Sequence, residues 1–141
     1  MRVKHIIVDP DEQSRSQLKN SLDSYGFLDF LGSFTTYESA SNSIRGEPPD
    51  IAFIKLGKVE LNAYGLAGVI REQNPFAKVV FIRSREDYAI DAFECEADGF
   101  LLFPFDEDKI KNTLLRVLRK NEVEQRRTGD RTKTEVRLFD L

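Results

Sequence analysis

Pro49-Asp50-Ile51-Ala52-Phe53-Ile54-Lys55-Leu56 is the stretch that decides how this chain folds. Ile51 to Ile54 form a continuous apolar run after a proline pair, with no polar alternation. That is the pattern of a central parallel strand covered on both faces. Such strands place ligand sites at their carboxyl ends. Lys55 stands at that end, so a cation is predicted where the fold builds its site.

On the amino-terminal side, Lys4 to Val8 reads as a first buried strand, and Asp9-Pro10-Asp11-Glu12 as a loop entering a helix with acidic residues at its favourable end. Leu18 and Leu22 give that helix an inward face, and Tyr25-Gly26 is predicted to close it. Phe27 to Phe34 suggests a second strand. Thr35 is the predicted cap of a second helix, with Glu38 returning to it and the helix running to about Arg45. On the other side, Leu66, Val69 and Ile70 share one helical face, and Asn74-Pro75 ends that element. Lys78 to Ile82 is a fourth strand, and Tyr88 to Phe93 a short fourth helix after Ser84-Arg85-Glu86-Asp87. Phe100 to Phe103 is a fifth strand, followed by Pro104. Asp106 caps a last helix with Ile110, Leu114, Val117 and Leu118 inward. Five strands alternating with five helices through short connections predict an α/β fold, a doubly wound five-stranded parallel sheet covered on both faces.

With 141 residues the chain suits one domain, set here at 1–121, with 122–141 as an extended helix end, a linker and the possible start of an output domain. No apolar run approaches the roughly 20 residues of a membrane span. Charges come too early in Met1-Arg2-Val3-Lys4-His5 for a secretory signal, so the expected compartment is the cytoplasm. Cys95 is the single cysteine and His5 the single histidine, which leaves little material for disulfides, Cys/His metal sites or Cys–His catalysis. Cys95 is read as packing against the sheet and His5 as a strand or edge residue without a catalytic role. A net charge of −3 gives no electrostatic footprint for nucleic acid.

The order of elements, with Ile6-Ile7-Val8-Asp9, Pro49-Asp50-Ile51, Ile70-Arg71-Glu72, Asp87-Tyr88-Ala89-Ile90-Asp91-Ala92-Phe93-Glu94 and Leu101-Leu102-Phe103-Pro104, resembles the receiver domain of bacterial response regulators. The resemblance covers residue 3 to about residue 120. Its fourth-helix pattern looks like receivers that precede LytTR-type or SARP-type DNA-binding domains. In that family two acids after the first strand hold magnesium and an aspartate ending the third strand accepts a phosphoryl group. Asp9 matches the first acid, Pro10 stands at the second with Asp11 beyond it, and the acceptor falls on Lys55. The hydroxyl residue after the fourth strand falls on Arg83, with Ser84 next, and the lysine before the fifth-loop proline falls on Phe103, ahead of Pro104. Of these positions Asp9 alone clearly matches.

The departures imply a degenerate, phosphorylation-independent signalling module rather than an enzyme. A carboxylate at the third strand's end is both nucleophile and hard oxygen ligand, and an ammonium is neither. Magnesium is expected not to bind, and Lys55 to pair with Asp9 and Asp11. The resemblance further implies a homodimer through the fourth helix, fifth strand and last helix, where acidic Asp87, Asp91 and Glu94 face basic Lys109 and Arg116; two solvated faces are the plainer reading of the same charges. DNA contact would come only from a domain after Leu141. Two alternatives stand beside this reading: a working phosphoacceptor on a shifted carboxylate, Asp11 or Asp9, and an anion or small-ligand sensor built on Lys55 and Arg83.

Overall fold

The apolar runs become five parallel strands in a computed structural model that describes residues 2–57, 60–84 and 97–129. They are β1 (Val3–Val8), β2 (Leu28–Phe34), β3 (Ile51–Lys55), β4 (Lys78–Ser84) and β5 (Gly99–Phe103), in the order β2-β1-β3-β4-β5. All of β3 is buried, because it lies mid-sheet with both faces covered. Ile51 and Phe53 point into one core with Leu18, Leu22, Ile110, Leu114 and Val117. Ala52 and Ile54 point into the other, with Ala40, Ile44, Leu66 and Ile70. The strand order reverses between β1 and β3, and in open α/β sheets the crevice at such a switch point is where sites form. Asp9 and Lys55 end the two strands that flank it.

Four helices lie among the described residues, one fewer than expected: α1 (Glu12–Leu22), α2 (Tyr37–Ile44), α3 (Glu60–Gln73) and α4 (Glu107–Gly129). The expected fourth helix, with Asp87, Asp91, Glu94 and Cys95, falls on residues 85–96, outside the described residues. The buried residues of α1 are Ser14, Leu18, Ser21 and Leu22, and Ser14, Leu18 and Leu22 stand one turn apart on one stripe. The helix ends at Leu22 rather than at Tyr25-Gly26: the Ser24 and Tyr25 N–H groups turn to the i−3 carbonyls of Ser21 and Leu22, and no described glycine has a positive φ to make a left-handed stop. The cap of α2 is Thr36, not Thr35. Thr36 is the residue left in extended backbone, and its Oγ1 accepts from the Ser39 N–H at 3.1 Å. Asp106 caps α4 as expected, accepting from the Asp108 N–H at 2.9 Å. That helix runs on to Gly129. Among the described residues no helix is long and apolar enough to cross a membrane.

Acids just before two strands tie the opposite rim of the sheet together. Asp50 accepts from the Lys4 N–H at 2.9 Å and Asp98 from the Val79 N–H at 2.8 Å. Asp98 also meets Arg71 at 3.4 Å and the buried Lys78 at 3.9 Å.

Where β5 meets α4, Gly99 permits a close approach of helix to sheet. A Cβ there would stand 3.0 Å from Thr113 Cγ2 and 3.3 Å from Val117 Cγ2. Gly99→Ala is therefore expected to lose about 1–3 kcal/mol by overpacking, read as a lower urea midpoint. A midpoint equal to the parent's would mean that α4 shifts freely over β5.

Candidate functional site

Asp9 is fully buried at the end of β1, and every polar edge of it is used. One carboxylate oxygen, Oδ1, accepts from the Asp11 N–H at 2.9 Å, and the other, Oδ2, accepts from the Ser14 hydroxyl. Its backbone N–H donates to the Phe34 carbonyl at 2.9 Å, and its own carbonyl accepts from Arg15 at 2.8 Å. A buried carboxylate is tolerated when its lone pairs are met in this way.

Lys55 comes to this carboxylate from β3. Its Nζ lies 3.9 Å from Asp9 Oδ2 and donates to Ser14 Oγ at 3.3 Å. The hydroxyl thus accepts from the ammonium and donates to the carboxylate, which is the one arrangement that uses its single proton with both neighbours. Above the ammonium lies the Phe103 ring, its centroid 5.0 Å from Nζ, within cation–π range. Phe103 packs edge-on against Phe105 at 5.3 Å and is followed by a cis bond to Pro104. The side chain of Lys55 is 11% exposed and that of Asp9 0%, so this is a nearly enclosed charge cluster.

The backbone of Lys55 is held separately. The Tyr37 hydroxyl donates to its carbonyl at 2.6 Å from the start of α2. Burial, and then the Asp9 carboxylate, push the Tyr37 phenol above its usual range, which keeps it the protonated donor this bond requires.

Not every expected residue joins the cluster. Asp11 does not pair with Lys55; it is exposed and caps α1, accepting from the Gln13 N–H at 3.2 Å. Pro10 is exposed between the two acids. Arg83 lies on the other face of the sheet, where its guanidinium stacks 5.5 Å from the Phe100 centroid in the layer of Phe81. Strand parity explains this: β4 continues to Ser84, and Ser84 is the residue whose register partner is Phe103, on the Lys55 side. On α4, Lys109 and Arg116 are exposed, as are Leu115 at 54% and, on edge strand β5, Leu102 at 36%. Their expected acidic counterparts are on 85–96, outside the described residues.

Ser14 and Tyr37 belong to the site and were missed in the sequence. Ser14 carried a usable signal, since it stands one turn before Leu18 and two before Leu22 on the inward stripe. Tyr37 carried none, because nothing local marks a helix-start aromatic as a partner for a carbonyl eighteen residues on.

Chains of known kind share this architecture and sequence. The sensory transduction protein LytT of Bacillus cereus is 27% identical over 139 residues, 99% of this chain and 54% of the relative. The transcriptional regulatory protein BtsR of Escherichia coli is 27% identical over 116 residues, 82% of this chain and 48% of the relative. The chain therefore spans about half the length of the curated relatives it matches. The receiver (REC) domain of AraT, a response regulator from Geobacillus stearothermophilus, superposes with a TM-score of 0.76 at 23% identity, covering 89% of this chain and 99% of that one. Residues 6–115 match the family described as the response regulator receiver domain, and the chain belongs to that family.

Proposed function

We propose that this chain is a receiver domain that has given up phosphoryl transfer and serves as a non-enzymatic regulatory module, acting through dimerisation or partner binding in a cytoplasmic transcription regulator. The observation that carries the reading is the Lys55–Ser14–Asp9 cluster at the switch point. An acceptor there must be a carboxylate, because it attacks phosphorus and also supplies a hard oxygen to a metal. The Lys55 ammonium offers neither, and it stands against Asp9, the buried acid at this rim among the described residues. A unit charge of the wrong sign about 4 Å from a cation costs on the order of 4 kcal/mol at an effective dielectric near 20. The donor set therefore does not suit magnesium. The internal ammonium takes the role of the cation, and Phe103 closes the volume above it.

The shifted-acceptor reading is weaker on the same geometry. Asp9 is fully buried with both oxygens engaged, and Asp11 is turned into a helix cap. The anion-sensor reading needs Lys55 and Arg83 to converge, and they lie on opposite faces of the sheet. For the output, LytT and BtsR are by name a sensory transduction protein and a transcriptional regulator. This favours a DNA-binding domain after Leu141, with exposed Leu102, Leu115, Lys109 and Arg116 on the face where a second copy docks.

Incubation with acetyl phosphate and magnesium should leave the intact mass unchanged, and magnesium titration should give no saturable signal. An acid-stable or acid-labile phosphoryl adduct would sink the reading. Lys55→Ala strands a buried carboxylate and is expected to destabilise by about 2–4 kcal/mol in urea unfolding, while the Asp9→Asn/Lys55→Met double variant recovers most of the loss. A Lys55→Ala protein as stable as its parent would mean the lysine is solvated and the cluster contributes nothing.

A further inference from the structure

His5 is 1% exposed, and neither ring nitrogen has a partner in good hydrogen-bond geometry among the described residues, although the Asp29 backbone bears on the ring. A buried polar group left unpaired costs on the order of 1–3 kcal/mol. Its surroundings show what that cost is set against. The imidazole lies between Phe30 of β2, with ring centroids 5.5 Å apart, and Phe53 of β3, edge-on at 6.2 Å. At this residue the β1–β2 ladder slips: His5 pairs with Phe30 but Ile6 with Gly32, leaving Leu31 over as a bulge. Bulges interrupt pairing locally, and β2 is an edge strand, so the interruption lies beside a buried titratable group.

The charged groups bearing on the imidazole are Lys19 of α1, Asp23 just after that helix and Asp29 of β2, while β3 presents Ile51 and Phe53. Both acids are already engaged. Asp23 pairs with Lys19 at 2.8 Å, and Asp29 with Arg2. Lys19 also sits 4.7 Å from the Phe30 ring, closing α1 over β2. A protonated His5 would gain from Asp23, Asp29 and the Asp29 backbone less than its burial costs, and a closer counter-charge requires breaking one of these pairs or opening to water.

We propose that His5 is a proton-sensitive latch: in its neutral form it lets β2 and the carboxyl end of α1 close over the sheet, and its protonation opens that edge. Burial holds the imidazole below its usual range of about 6.5, with Asp23 the leading opposing influence. An opened state takes up the proton at the ordinary value, so the closed state's advantage is complete above about pH 6.5 and falls as the pH drops toward the lowered folded value. The closed-to-open ratio falls by up to about tenfold per pH unit in that window.

Hydrogen exchange at the amides of Leu28–Phe34, corrected for the intrinsic pH dependence, reads this directly. Between pH 7 and pH 5.5 protection is expected to fall up to about tenfold in the parent and to stay level in His5→Phe, or in His5→Gln where the larger ring overpacks. The imidazole NMR titration of the parent needs no variant and should show a midpoint clearly below the usual histidine range. Level protection in the parent, an equal loss in parent and variants, or an imidazole titrating at its ordinary value would each overturn the latch.

Discussion

A buried carboxylate that must be matched by a cation constrains the whole carboxyl-end rim of this sheet. Asp9 ends β1 with 0% exposure, and a charge so placed survives only with partners on every lone pair. Ser14, the Asp11 N–H and the Lys55 ammonium supply them. Each comes from a different part of the chain: the first turn of α1, the loop that starts it, and the end of β3. The cluster therefore fixes how α1 begins, how β1 and β3 end together, and what Phe103 can cover.

Lys55 joins the two helical layers as well as the two strands. Its side chain lies in the layer of α1 and α4, under Phe103, while its carbonyl is held by Tyr37 at the start of α2 on the opposite side. One residue at the switch point is thus gripped from both faces. A change in its charge or length would reach α1 through Ser14, α2 through Tyr37, and β5 through Phe103.

The central strands were legible because burial on both faces leaves short continuous apolar runs bounded by turn residues. The ends of helices were less so. Thr35 and Thr36 are equally good caps on composition, and only the backbone angle of Thr36 separates them. The attraction of Lys55 to Asp9 was also legible. Which second acid would join them was not. Past Pro10 the chain has already turned into the helix start, where Asp11 is worth more as a cap than as a counter-ion. Arg83 failed for a related reason. Facing depends on parity along a strand, and a strand read as ending at Ile82 gives no parity for the residues beyond it.

On the proposed reading, the internal pair changes where regulation can enter. In a receiver that takes up metal and phosphate, the charge at the switch point is supplied from outside and can be removed again. Here the compensating charge is part of the chain, so the rim stays in one electrostatic state. A two-state response then requires a ligand or partner whose affinity differs between two arrangements of the fold, because nothing else shifts the population. The surfaces able to supply that difference lie away from the old site: the exposed β5–α4 face with Leu102 and Leu115, and the bulged β2 edge over His5. On this proposal the fold is kept, its switch-point chemistry is closed, and control passes to its edges.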